Sequence, residues 1–343
     1  MKTSSRSAVR PSLAAVLGFL LLVPAGASAS GMVGHAIPAA TPGHGAKAYW
    51  TAKRMRATEP LPIPLRDDLP GGDTATPLSV PAAGPNAASP ARVDLSRTIA
   101  GSPPKGSRIG DDPPYLSGEV PLESQTTYPT STNGRVFGKF RGLGQYSCSA
   151  TVVASKSDSV ILTAGHCVFD GDAGFASKIV FVPAYHRGDR PFGVWQGTRE
   201  VINKGYFKLL NPNDDYAAIK LKSASGKLGQ VVGEEGLAYS QPRNQGFQVI
   251  GYPFNLGRTE LMWNCLTNFA GVDNLDRFPG KPDSGVGCDM TEGASGGGWT
   301  IRDPAGTPFL NSVTSYGYPK LKNVIFGPYL TKKAMKLIGK ASG

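Results

Sequence analysis

The sequence is short of cysteine, of histidine and of long apolar runs. Four cysteines in 343 residues, none before Cys148, are too few for a small domain held together mainly by disulfides. Their gaps are long and unequal, unlike the paired spacing of a zinc site. Of the four histidines only His166 and His186 lie beyond residue 130, so few side chains can move protons near neutral pH. A single apolar run, residues 13–23, comes near membrane length. It falls short of the ~20 residues that a spanning helix needs, which excludes a polytopic membrane protein. Glycine and proline are plentiful, at 44 and 29, but no Gly-X-Y period makes the chain collagen-like.

Aromatics are scarce in one part of the chain and abundant in the other. Residues 1–130 hold 18 of the 29 prolines but only five of the 30 aromatics: Phe19, Tyr49, Trp50, Tyr115 and Tyr128. Ordering a chain costs roughly 1–2 kcal/mol of backbone entropy per residue, and this part has little apolar material to offset it. Residues 131–343 carry 25 aromatics and every cysteine. Two regimes are therefore expected: a poorly ordered N-terminal third and a compact remainder.

Residues 1–29 read as a secretory signal peptide. Lys2, Arg6 and Arg10 precede the apolar run, and Ala25-Gly26-Ala27 and Ala27-Ser28-Ala29 offer small-residue cleavage sites. Secretion to an oxidising compartment makes disulfides the default state of the cysteines. Residues 30–130 read as a disordered propeptide or linker, a reading compatible with short strands or helices inside it. His35 and His44 stand there in Gly-rich surroundings with no partner pattern.

Beyond residue 130 short β-rich runs alternate with turn signals. Ser149 to Val153, Ser159 to Thr163, Ile179 to Val182, Tyr216 to Leu221, Phe247 to Ile250, Trp299 to Ile301, Asn311 to Ser315 and Asn323 to Phe326 read as strands. Such spacing predicts an all-β sandwich or barrel. One helix is expected at the C-terminus, where Leu330, Ala334, Leu337 and Ile338 share a face behind a Thr331 cap. Lys332, Lys333, Lys336 and Lys340 fall on its other face and read as a solvated surface.

Three segments carry chemistry. Thr163-Ala164-Gly165-His166-Cys167 offers a histidine suited to general-base work, and Cys167 can bond to Cys148. That bond would close a loop of about 20 residues and contribute about 3 kcal/mol. Asn213-Asp214-Asp215-Tyr216-Ala217 sets an acid at the start of an apolar strand, where rigid structure can place it to orient a histidine. Asp215, directly abutting the strand, is the first choice and Asp214 the alternative. Gly293-Ala294-Ser295-Gly296-Gly297 flanks a serine with glycines, as a nucleophile on a tight turn beside free backbone amides requires.

The three segments occur in the order His, Asp, Ser, and together they resemble the chymotrypsin-like serine peptidases over roughly residues 131–343. The leader, the pro-region and a Cys265–Cys288 candidate bridge look most like secreted bacterial members, including the glutamyl endopeptidases. The resemblance implies two antiparallel six-stranded β-barrels, about 131–230 and 231–343, joined near residues 223–245. It implies a triad of His166, Asp215 and Ser295, with the amides of Gly293 and Ser295 as oxyanion hole. It implies Ser315-Tyr316-Gly317 as the strand that pairs with substrate backbone. Asp289 stands where trypsin-like members bind a basic P1 side chain, although Cys288 does not match their pocket wall. Thr314 replaces the histidine that glutamyl endopeptidases use. Arg135-Val136-Phe137-Gly138 resembles an activation site, but Ala294 replaces the acid that would receive the freed amine. No metal or organic cofactor is expected, and the partners are protein or peptide substrates handled by a monomer. The formal charge of +11 supports only weak, salt-dependent attraction to polyanions and no specific nucleic-acid partner. The alternative reading is a catalytically inactive binding module on the same fold.

Overall fold

The structure, a computed structural model, describes residues 31–38, 45–66, 113–223 and 226–343, and the backbone of residues 99–100. The signal-peptide expectation for residues 1–29, and His44, lie outside the described residues. Among the described residues no helix is long and apolar enough to cross a membrane.

Six strands form the first barrel: β1 (Asn133–Phe140), β2 (Gly144–Val153), β3 (Val160–Thr163), β4 (Ser177–Pro183), β5 (Trp195–Asn203) and β6 (Ala217–Lys222). They pair antiparallel in the order β1-β2-β3-β6-β5-β4, and β4 pairs again with β1 to close the ring. A second set follows: β7 (Gly246–Gly251), β8 (Trp263–Asp273), β9 (Asp283–Gly287), β10 (Gly298–Arg302), β11 (Pro308–Val313) and β12 (Leu321–Gly327). It repeats the connectivity, in the order β12-β9-β8-β7-β10-β11. Its seam is held by Ser312 Oγ donating to the Pro328 carbonyl (2.8 Å) and the Ser315 amide donating to Phe326 (2.8 Å).

The apolar run of β3 is buried on both faces, which is why it does not alternate. Ile161 faces the first barrel's interior. Val160 and Leu162 face outward, against the C-terminal helix α1 (Lys332–Ser342) through Leu337 and Ile338. Thr331 caps that helix by accepting from the Lys333 amide (3.3 Å). Two of its lysines are engaged and not merely solvated: Lys333 Nζ pairs with Asp214 (2.6 Å) and Lys340 Nζ donates to the Met32 carbonyl (2.7 Å).

The expectation of a disordered segment over residues 30–130 is corrected for 31–38, 45–66 and 113–130, which are ordered against the barrels. Met32–Ala36 adds antiparallel to β5, and Tyr115–Glu119 adds antiparallel to β8. Two short helices, Ala46–Tyr49 and Ala52–Arg56, place Trp50 and Met55 in a cluster with Phe137, Val182 and Tyr185 of the first barrel and Tyr252 of the second. These segments build no core of their own. They complete sheet edges and fill the seam between the barrels.

Candidate active site

His166 sits in the one-turn helix Gly165–Cys167 that ends β3, and the Cys148–Cys167 disulfide ties this turn to β2. Asp215 follows the turn Pro212–Asp214, in which Asn211 accepts from the Asn213 amide (3.1 Å), and it directly precedes β6. Because β3 and β6 are paired neighbours, the two segments meet. Asp215 grips His166 at two points: Oδ1 accepts from the His166 amide (2.8 Å) and Oδ2 lies 2.8 Å from Nδ1. Ser315 Oγ also donates to Oδ2. This geometry suits a proton on Nδ1, the tautomer in which Nε2 can accept one. Gly165 makes it feasible, since a Cβ there would stand 2.9 Å from Asp215 Oδ1. Asp214 points elsewhere, to Lys333; burial raises its pKa and the Lys333 ammonium opposes the rise.

Ser295 lies on the turn between β9 and β10, fully buried at 0% exposure, and His166 is 8% exposed. Neither Ser295 Oγ nor His166 Nε2 has a hydrogen-bond partner among the described residues. Gly293 adopts φ +88°, and a Cβ there would meet the Tyr252 carbonyl at 2.5 Å. The Glu292 carbonyl accepts from the Phe254 amide (2.7 Å). Across a trans peptide the N–H points opposite to the C=O, so this bond turns the Gly293 amide away from Phe254. Among the described residues neither the Gly293 nor the Ser295 amide donates to a backbone carbonyl.

The sequence reading missed Ser149, which joins the barrels at this turn. Its amide donates to the Ser295 carbonyl (2.8 Å), and its Oγ donates to the Gly293 carbonyl (2.8 Å) while accepting from the Tyr252 amide (2.9 Å). A polar residue inside the apolar β2 run was the available signal.

The other candidate residues separate. Ser315 bonds Asp215, while Tyr316 OH donates to Asp273 (2.8 Å). Thr314 is buried and accepts from Trp299 Nε1 (3.0 Å). The Asp289 carboxylate accepts from Ser117 Oγ (3.0 Å), on the strand that residues 115–119 add to β8. Gly317 pairs with the chain itself, at residues 64–66. Arg135 does not offer an activation site: it is fully buried in β1, and its guanidinium donates to Glu260 (2.7 Å), Ser147 Oγ (3.0 Å) and the Thr58 carbonyl (3.1 Å). All four cysteines are bonded, as Cys148–Cys167 and Cys265–Cys288. Among the described residues, two groups have metal-like spacing, and each contains disulfide sulfurs, which are not the thiolates a metal takes. A cavity of about 500 Å³ borders His166, Asp215, Ser315 and Tyr316, with Pro62 and Pro64 on its other wall.

No protein-family model matches the chain. Among solved structures it is similar to the thermostable serine protease AL20 from an extremophilic microorganism. The identity is 34%, the TM-score 0.56, and the match covers 65% of this chain and 99% of that one. The protease Anisep from Arthrobacter nicotinovorans matches at 28% identity and TM-score 0.56, over 66% and 99% of the two chains. Among curated proteins, 133 residues are 29% identical to an extracellular metalloprotease of Bacillus subtilis, covering 38% of this chain and 42% of that one. A further 34% identity over 110 residues links 31% of this chain to 33% of the glutamyl endopeptidase of Bacillus licheniformis. The chain thus spans less than half the length of these curated relatives.

Proposed function

The chain belongs to the chymotrypsin-like serine proteases, and on that premise we propose that it is a secreted endopeptidase working through Ser295, His166 and Asp215. The observation that carries this is the two-point hold of Asp215 on His166, at 2.8 Å to the amide and 2.8 Å to Nδ1. It fixes the tautomer in which Nε2 accepts a proton. Ser295 Oγ attacks the scissile carbonyl and gives its proton to Nε2. The amides of Gly293 and Ser295 take the negative charge that develops on the carbonyl oxygen, and the glycine is needed there because φ is +88°. His166 then passes the proton to the leaving amine, and an acyl-enzyme remains for water to hydrolyse. Asp215 orients the imidazolium and stabilises its charge. Each step uses side chains and amides of this chain.

The test is intact-mass analysis of the secreted, processed protein after a fluorophosphonate. One adduct is expected on the wild type and none on Ser295→Ala, with peptide hydrolysis falling by something on the order of 10⁶. An adduct that persists in the alanine variant defeats the assignment. P1 profiling then addresses Asp289: the half-buried carboxylate is already engaged by Ser117, and a flat response to Lys and Arg is expected.

A further inference from the structure

The buried nucleophile has a cover, and the cover belongs to the chain. Residues 59–66 cross the site in extended form and pair with the protein at both ends. At the first end the Ser147 amide donates to the Glu59 carbonyl (3.1 Å) and the Leu61 amide donates to the Ser147 carbonyl (2.9 Å). At the second end the Gly317 amide donates to the Pro64 carbonyl (3.1 Å) and the Arg66 amide donates to the Gly317 carbonyl (3.0 Å). In each case two strap residues straddle one protein residue, so both pairings are parallel. Ser147 adjoins Cys148 of the histidine-side disulfide, and Gly317 follows the Ser315 that bonds Asp215, so the anchors flank the triad. Between them Pro62 and Pro64 wall the cavity at His166. Pro60 Cβ stands 3.2 Å from where a Gly293 Cβ would be.

The strap's chemistry suits a resident occupant. Three prolines, at 60, 62 and 64, set an extended backbone in advance and lower the entropic cost of docking. Arg66 Nε donates to Tyr318 OH (3.2 Å), and its guanidinium lies 5.8 Å from the ring centres of both Phe278 and Tyr316. The Tyr318 hydroxyl in turn donates to the buried Asp273. A basic side chain thus anchors the strap in an aromatic pocket backed by an acid.

Direction decides whether such a segment is cut. A productive chain presents its carbonyl to the Gly293 and Ser295 amides and its amide nitrogen to His166 Nε2, in one order along the cleft. A chain antiparallel to residues 315–317 and one parallel to them present these groups in opposite orders, and the strap is the parallel one. We propose that residues 59–66 are a reverse-threaded internal inhibitor of the substrate cleft, a proline-rich peptide ending in a basic anchor, which keeps the full chain latent while remaining uncut. The proposal rests on the protease reading above.

The test uses the full chain. Leu61→Pro with Arg66→Pro removes the two strap amides that pair with Ser147 and Gly317, together with the Arg66 anchor, and changes no residue of either barrel. Arg66→Ala removes only the side-chain anchor. Three readouts are taken: the rate of fluorophosphonate labelling at Ser295, peptide mapping of residues 59–66, and hydrogen exchange over the same residues. The wild type is expected to label at least 10-fold more slowly than the double variant, with Arg66→Ala between them. Its bonds between 59 and 66 are expected to stay intact. A synthetic peptide of residues 58–67 is expected to slow the double variant again. Equal labelling rates, or self-cleavage within 59–66 of the folded wild type, overturns the proposal, as does free exchange of these residues in the wild type. If they are protected in the wild type and released in the variant, yet no variant labels, the strap stands and the protease reading fails.

Discussion

From residue 133 onward, apolar side chains along laddered strands bury one another, as Val136, Val152, Ile161 and Ile219 do inside the first barrel. Residues 31–38, 45–66 and 113–119 have no such interior. They lend strands to the edges of β5 and β8 and send Trp50 and Met55 into the seam where Phe137, Tyr185, Tyr252 and Met262 converge. The two regions solve the same entropy problem differently. The barrels bury their own surface, while the N-terminal segments borrow surface the barrels have already organised. Short stretches from a region with five aromatics in 130 residues can therefore be integral, provided that their few large side chains land where two rigid bodies meet.

The strongest way to break this comparison is to remove the largest borrowed contact. Trp50 is 1% exposed, and its indole Nε1 donates to the Lys178 carbonyl (2.5 Å). Trp50→Ala is expected to cost about 3–5 kcal/mol in the full chain, as much as truncating a core aromatic. Chemical denaturation followed by fluorescence checks it. An unmoved midpoint would mean that the N-terminal segments ride on the barrels without supporting them.

On the barrel side the counterpart is covalent. Replacing Cys148 and Cys167 by serine opens a loop with a sequence separation of 19 and is expected to cost about 3 kcal/mol. It also frees the turn that carries His166. Activity should then fall further than after the same change at Cys265 and Cys288, which measured kcat and midpoint together would separate. Equal effects at the two bridges would show that the first one has no positioning role.

How much of this was legible in the sequence follows from the same contrast. Runs buried on both faces, such as Val160-Ile161-Leu162, announced themselves as strands, and the His and Asp segments stood in local contexts that forecast their meeting. The strands β1, β5, β8 and β9 were not legible, because they carry Gly, Asn, Arg or Asp at positions where a partner, not apolarity, satisfies the residue. Arg135 in β1 is the clearest case: its burial depends on Glu260, 125 residues away, which no local pattern encodes. The strap was illegible for a related reason. Leu61-Pro62-Ile63-Pro64 reads as linker by composition, and only the distant Ser147 and Gly317 give it a place. His35 likewise seemed partnerless until β5 brought Glu200 to 2.8 Å.

That last pair gives the smallest effect and the finest distinction. Burial pushes the Glu200 carboxyl up to about 7, with the His35 hydrogen bond pulling the other way, and Glu200 raises the pKa of His35 above its usual 6.5. For both groups the folded state binds protons more tightly than the unfolded one. Stability therefore falls as pH rises, for Glu200 across the window from 4.5 to about 7 and for His35 from 6.5 upward through its folded value. One such proton gives a slope of at most about 1.4 kcal/mol per pH unit. Glu235 is raised to about 7 too, by burial, with the hydrogen bonds from the Thr300 and Thr132 hydroxyls pulling the other way, but it touches no N-terminal strand. Glu200→Gln and Glu235→Gln should each flatten the fall in Tm between pH 5 and 7.5 by a similar amount. Only Glu200→Gln should also remove the pH dependence of hydrogen exchange in residues 32–36, because only there does the carboxyl hold a borrowed strand. If exchange in that strand responds identically in both variants, the pH dependence belongs to the barrels alone, and His35 is a passive neighbour of Glu200.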